Sequence, residues 1–255
     1  MFKTKINFMY NFLKKIFLSL FPEITKKFEF TIRRVLVLFY IGNKVYCNIC
    51  ESNLKRFILF DNNDLICPRC GSLGRQRRLW EVINETIPFK ESDFILHFSP
   101  SKILQKKLKA IYPNYVSTDY NGNLNTDKSY DIININAPDN SFDIVICYHV
   151  LEHIIDDMRA IYELNRILKP GGKLILQTPF KTGDIYEDYS ITTKECRLKH
   201  FGQEDHVRIY SVQGLKSRIE KVLFNVEVLS FSESASNKFG YKPEEYILLC
   251  TKLIV

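Results

Sequence analysis

Beyond residue 90 the chain alternates between two patterns. Short apolar runs read as strands: "FILHF" (94–98), "YVSTD" (115–119), "DIVICY" (143–148), "KLILQT" (173–178), "NVEVLSF" (225–231) and "EYILLCT" (245–251), with "DIINI" (131–135) as a weaker one. Helical periodicity fills 100–111, 150–167 and 212–222 between them. Parallel strands need long crossovers, and crossover helices cover the sheet on both faces. The alternation therefore predicts a doubly wound α/β fold with a mostly parallel, seven-stranded sheet. The last two runs are joined by a stretch without helical pattern, which predicts a closing antiparallel hairpin at one edge. Ligands of such sheets bind at the carboxyl ends of the strands.

The first strand-to-helix turn lies in "FILHFSPSKIL" (94–104). Ser99 suits an N-cap and Pro100 a first helical position. Free N–H groups at that helix end would attract an anion. A pyrophosphate needs glycines for close backbone approach, and this turn has none. A dinucleotide is disfavoured, whereas an amino-acid carboxylate could still reach the helix. Asp119 ends the second strand, where a carboxylate can bind the two hydroxyls of a ribose. Ribose plus carboxylate without phosphate describes S-adenosylmethionine (SAM).

Two Cys-x2-Cys pairs precede this region, Cys47/Cys50 and Cys67/Cys70, sixteen residues apart. Each pair can turn two thiolates toward one point, and four sulfurs in a tetrahedron suit a closed structural Zn²⁺ site. "KRFILF" between them reads as a strand and "DNND" as a turn, so the pairs are expected at two hairpin tips, with Gly71 easing the second. The module is too small to fold on its own core, so metal would decide its folding. The alternative is a degenerate module with four ordinary thiols. Arg75, Arg77 and Arg78 follow directly. They could contact phosphate, or form a solvated helix face, or bridge two domains.

The charge is uneven. Residues 1–45 carry nine Lys/Arg against Glu23 and Glu29, a balance of +7 that equals the net charge of the whole chain. The same segment repeats apolar residues at helical spacing, from Phe2 to Leu20. No uncharged run reaches the roughly 20 residues needed to span a bilayer. A helix docked on its own domain and a helix lying on an anionic membrane surface (residues 1–30) both fit. The expected organisation is a basic N-terminal segment (1–43), a zinc ribbon (44–78) and an α/β domain (79–255). The scattered cysteines fit a reducing, cytoplasmic setting, with a peripheral position on the inner membrane face as the variant.

The stretch "DIININAPDNSFDIVICYHVLEHIIDDMRAIYELNRILKPGGKLILQTPF" (131–180) closely resembles the second half of class I SAM-dependent methyltransferases, which have a Rossmann-like fold. With its flanking strands the resemblance covers about residues 90–255. The whole chain is similar to a bacterial subfamily, methyltransferase type 11-like, in which a four-cysteine ribbon precedes this domain and "FGQEDHVRIY" stands near the end. The resemblance implies that Phe98, Ser99 and Pro100 replace the glycine-rich first motif and face the methionine end of SAM. It further implies that Asp119 binds the ribose, Tyr120 lies against the adenine, and Asp131 and Ile132 read the adenine edge. Cys147 and Tyr148 would lie beside the methyl group, and Lys169-Pro170-Gly171-Gly172 would be a structural turn opening the fifth strand.

Methyl transfer from a sulfonium needs alignment and, for a hydroxyl, proton removal. The insertion at 179–210 should roof the acceptor side, and loops over strand ends often carry function. His206 is the first candidate base, oriented by Asp205, with Glu187 and His149 next. A structural role for His206 is equally open. His149-x-x-Glu152-His153 matches a zinc-peptidase pattern, but here it sits at a strand-to-helix turn, where capping and packing are expected and a second metal is not. A sugar, glycan intermediate or other small hydroxyl compound is the expected acceptor. RNA is the alternative substrate, nucleic acid being the less expected partner, and a non-catalytic ribbon adaptor with a degenerate SAM site is the third reading. The oligomeric state is not legible.

Overall fold

The computed structural model describes residues 33–35, 37–60, 64–120, 122, 125–233 and 236–254. The basic helix expected within residues 1–30 lies outside them. Two compact units divide the chain: Met1–Pro88 with Glu233–Pro243, and Phe89–Ser232 with Glu244–Val255.

In the first unit, β1 (Ile41–Cys47) pairs antiparallel with β2 (Ser52–Leu54), and the first cysteine pair forms their turn. A two-residue pair follows, β3 (Ile58–Leu59) with β4 (Leu65–Ile66). The second cysteine pair is not at a hairpin tip. β4 runs straight into a knuckle that closes on its own backbone, Gly71 N donating to Cys67 O (2.9 Å) and Cys67 N to Ser72 O (2.8 Å). Gly71 sits at φ +79°, and a Cβ there would also press on the Arg33 guanidinium at 3.2 Å. Of "DNND", only Asp64 is described.

Helix α1 (Gly74–Glu81) carries the three arginines. None presents a free cationic face. Arg77 is fully buried, stacked on Phe57 (4.0 Å), and donates to the carbonyls of Ser72, Leu65, Phe239 and Gly240 at 2.6–2.8 Å. Arg78 lies over Tyr241 and pairs with Glu81 and Glu233, while Arg75 pairs with Asp64 at 3.7 Å. A buried guanidinium such as that of Arg77 needs acceptors on all sides, and the backbone supplies them.

The second unit runs β5 (Ile95–Phe98), α2 (Lys102–Ile111), β6 (Tyr115–Thr118), β7 (Phe142–Tyr148), α3 (Asp157–Ile167) and β8 (Leu168–Gln177). The insertion holds β9 (Phe180–Lys181), β10 (Tyr186–Glu187), α4 (Lys194–Phe201) and β11 (Arg208–Ser211), and α5 (Val212–Glu220), β12 (Phe224–Ser232) and β13 (Glu244–Lys252) close the chain. The sheet order is β12-β13-β8-β7-β5-β6, with β5 to β8 parallel. β13 lies antiparallel to both neighbours, as the helix-free connection predicted. The central strands are apolar on both faces: Leu96, Val145 and Leu174 on one and Ile95, Ile146 and Ile175 on the other are fully buried. The insertion forms its own small sheet, β10-β11-β9.

Three local expectations need correction. The sheet has six strands among the described residues, not seven. "DIINI" is a turn: Asn134 N donates to Asp131 O (3.0 Å), and Ile135 N is satisfied by the Glu163 carboxylate (2.8 Å) rather than by a neighbouring strand. Helix α2 starts at Lys102 with Ser101 as its cap, because Ser99 takes φ 45° and Pro100 lies before the cap. Lys169–Gly172 falls within β8 as an irregularity in its register with β7, where a Cβ on Gly172 would meet Lys169 O at 2.8 Å.

Candidate functional site

Strand register builds one edge. Phe98 lies opposite Thr118 and Cys147, Cys147 opposite Leu176, and Tyr148 opposite Gln177. The next residues, Ser99, Asp119, His149 and Thr178, therefore share the carboxyl rim of the sheet. Ser99 N donates to Thr118 O and His149 N to Gln177 O, each at 2.8 Å, which carries the ladder into the rim. Ser99 (φ 45°) and His149 (φ 55°) both take the left-handed conformation. That costs a non-glycine residue about 1–2 kcal/mol, and such strain collects at functional sites. Ser99 holds the backbone shape a glycine would give and keeps a hydroxyl, which donates to Asp119 Oδ1 at 3.3 Å.

Buried polar atoms without a hydrogen bond are rare, and this rim has several: Ser101 Oγ at the start of α2, Gln177 Oε1 and Thr178 Oγ1 after β8, and Glu152 Oε2 after β7. The first-turn N–H groups of α2 receive no side-chain cap. An uncapped helix end beside an orphan hydroxyl and next to Asp119 fits the carboxylate and ribose of SAM.

Of the residues expected at the cofactor, Phe98, Ser99, Asp119, Cys147 and Tyr148 come together at this edge, and buried Pro100 leads into α2. Tyr120 follows Asp119 and is two-thirds exposed. Burial pushes the Cys147 thiol well above its ordinary range, so it packs as an apolar group. Asp131 Oδ1 accepts from Ile133 N in its own turn (3.2 Å), and Ile132 is in the core.

The expected bases divide into two groups. Glu187 is half-buried and bound to Arg208 Nε (2.9 Å) and to Arg218. Burial opposes its charge, but the two guanidinium groups outweigh it and hold the carboxyl below the usual range. His149, Asp205 and His206 instead belong to one cluster with Glu152 and His153. His149 Nδ1 donates to Glu152 Oε1 (3.1 Å), and His153 Nδ1 lies 3.2 Å from Asp205 Oδ2. The His153 and His206 rings meet edge to face at 4.7 Å. His206 is buried, which lowers its pKa, and Val207 N donates to Glu152 O (2.9 Å), tying the insertion to the turn after β7. Sequence reading missed His153 and Glu152 as site residues. The signal was the His-x-x-Glu-His spacing, and what it lacked was His206, brought in from 53 residues away.

In the first unit the Sγ atoms of Cys47, Cys50, Cys67 and Cys70 lie within 4.8 Å of one another, with Cys47–Cys70 and Cys50–Cys67 both at 3.7 Å. A tetrahedron with Zn–S bonds of about 2.3 Å has edges of about 3.8 Å, so the set fits such an ion. Ser52 and Ser72 hydroxyls stand 3.2–3.4 Å from three of the sulfurs, as an outer shell would.

Residues 107–176 match the family model described as a methyltransferase domain. The uncharacterized protein MJ0638 of Methanocaldococcus jannaschii is 35% identical over 85 residues, 32% of this chain and 37% of that protein. The tRNA N(3)-cytidine methyltransferase METTL2 of Bos taurus is 32% identical over 102 residues, 35% of this chain and 26% of that protein. The chain thus spans well under half the length of these curated relatives. The solved S-adenosylmethionine-dependent methyltransferase of Mesorhizobium loti shares the fold, with a TM-score of 0.50 over 68% of this chain and 96% of that one at 13% identity. The second unit of this chain thus carries a segment that matches the methyltransferase-domain family, on the fold of a solved SAM-dependent methyltransferase.

Proposed function

We propose that the protein transfers the methyl group of SAM to a hydroxyl oxygen of a sugar, a glycan intermediate or another small molecule, and that its four cysteines hold a structural Zn²⁺. The observation that carries this is the rim of strained, orphaned polar groups at the carboxyl edge. SAM supplies the methyl group and leaves as a neutral thioether, so no charge on the leaving group needs neutralising. Asp119, braced by Ser99, takes the ribose hydroxyls, and the start of α2 with Ser101 takes the carboxylate. The hydroxyl proton of the acceptor passes to the histidine-carboxylate cluster on the β7 side of the rim. Zinc with four thiolates has no open position, so its role is folding.

RNA is the second reading, favoured by the likeness to METTL2. What supports a small acceptor over RNA is that Arg77 and Arg78 are already spent on carbonyls and carboxylates. Incubating the purified protein with methyl-labelled SAM and separate RNA, glycolipid and metabolite fractions tests this. Label in the glycolipid or metabolite fraction is expected. Label in RNA would replace the proposal with the second reading, and label nowhere would leave a ribbon adaptor. No helix among the described residues is long and apolar enough to cross a membrane. A cytoplasmic protein resting on anionic lipid through residues 1–30 is part of this proposal. Its flotation with anionic vesicles should be salt-sensitive and lost on deletion of those residues.

A further inference from the structure

We infer that Glu152, His153 and His206 form a second metal site, for one divalent transition-metal ion, on the acceptor side of the rim. Their ligating atoms all lie within 4.8 Å of one another. Two imidazoles and a carboxylate are a donor set that such ions take, and it differs in kind from the four thiolates of the first unit. Ligands at about 2.0–2.2 Å from an ion stand about 3.0–3.6 Å apart, so modest side-chain rotation closes the set. His153, still partly exposed, has room to turn.

Three further observations point to an ion. Glu152 is only 1% exposed, and its Oε2 has no hydrogen bond among the described residues, although Oε1 accepts from His149. A carboxylate oxygen buried in that way lacks a cation. The outer shell is also in place. Asp205 stands on Nδ1 of His153, and the Phe201 carbonyl is hydrogen-bonded to the His206 ring. A carboxylate or carbonyl behind each imidazole is the usual means of fixing a ligating tautomer. Finally, the three ligands come from two segments that the backbone clamps together, through Val207 N to Glu152 O and through Arg208, which donates to the carbonyls of Ile154 and Ile155. Rigid elements hold a metal set better than free loops do.

Three protein ligands leave coordination positions for water or for an acceptor oxygen. An ion there would lower the pKa of a bound hydroxyl, and with Glu152, His153 and His206 held as ligands the proton would leave to water rather than to the free cluster. The role rests on that reading, but the site does not.

Cobalt(II) is the probe, titrated into the full chain as purified, with calorimetry and visible absorption. One equivalent should bind and give weak d–d bands without the sulfur charge-transfer of a thiolate site. Glu152→Gln, which keeps the shape of the side chain, and His206→Ala should each weaken binding by about tenfold or more. If His206→Ala unfolds, His153→Gln on the more exposed member takes its place. No d–d band at millimolar cobalt, a spectrum with sulfur bands alone, or unchanged affinity in the folded variants would overturn the inference. SAM binding is measured alongside. Protein that binds SAM but no cobalt refutes this site alone, and protein that binds cobalt but no SAM refutes the methyl-transfer reading alone.

Discussion

Replacing Arg208 by methionine should be the most damaging single change in the insertion. The side chain is fully buried, and its fork reaches Glu187 (2.9 Å), the carbonyl of Ile155 (2.8 Å) and the carbonyl of Ile154, with the carbonyl of Leu151 at 3.5 Å. Methionine fills similar length and donates nothing. The part-buried Ile154 carbonyl then loses its donor, at about 1–3 kcal/mol, and Glu187 loses a charge-assisted bond worth about 1.5–3 kcal/mol and keeps Arg218 and the Tyr189 hydroxyl, while the carbonyl of exposed Ile155 can turn to water. Breaking a buried charged network by removing one partner costs about 3–5 kcal/mol, which agrees with that sum. For a domain of this size each kcal/mol moves Tm by about 2–4 °C, so a fall of roughly 6–20 °C is expected. Arg208→Lys keeps the charge but not the fork and should fall between. Thermal and urea unfolding by circular dichroism give both quantities. A methionine variant within about 1 kcal/mol of wild type would refute the account, because it would mean that water already satisfies the Ile154 carbonyl. The carbonyls belong to the turn that carries Glu152 and His153, so cobalt affinity should fall with stability.

Three more outcomes follow from the same geometry. Cys67→Ser should release the zinc and unfold the first unit, since metal binding in small zinc modules is worth about 10–16 kcal/mol; metal analysis showing stoichiometric zinc in the variant would end the zinc assignment. Asp119→Ala should weaken SAM binding roughly 10²-fold or more, with two charge-assisted bonds lost at about 1.5–3 kcal/mol each, and leave Tm unchanged; calorimetry with equal affinity would mean that the cleft lies elsewhere. His97 is buried in β5 against Tyr115 (Nδ1 to the hydroxyl, 3.1 Å), and burial lowers its pKa to about 3. The unfolded chain binds this proton near the ordinary value of 6.5, so the stabilisation is complete above that pH and is lost as the pH falls toward 3. The slope is about 1.4 kcal/mol per pH unit. Urea unfolding at pH 7, 5 and 4 should show a flatter acid limb in His97→Phe, and parallel limbs would disprove the assignment.

The fold was legible because it rests on periodicity. Runs such as "DIVICY" are apolar on both faces, and only a covered parallel strand buries both. "DIINI" misled because Ile132 and Ile135 are as buried as strand residues, while its backbone partner is a helix carboxylate, Glu163, that no local pattern reveals. Asp119 and Ser99 could be placed because they end strands. Their mutual bond and the left-handed Ser99 could not, since a glycine was the only local sign of that conformation. Glu187 looked like a base because acids in a loop over a cleft do, and the two arginines that hold it come from β11 and α5. The histidine cluster failed in the same way: its spacing was visible, but its third member joins only through the insertion. In each case the missing information was a long-range contact rather than a local preference.

Arg77 sets a timetable for biosynthesis. Its guanidinium donates to Phe239 O and Gly240 O, 162 and 163 residues further along the chain. At about 5–20 residues per second, the ribosome needs roughly 8–30 seconds to deliver them after Arg77 is made. Through that interval the four thiols already exist while the unit around them is incomplete, and chaperones, oxidants and free metal all have access to it. The order in which zinc arrives and the chain is finished is thus a kinetic choice, and a nascent chain stalled before residue 239 would expose it to measurement.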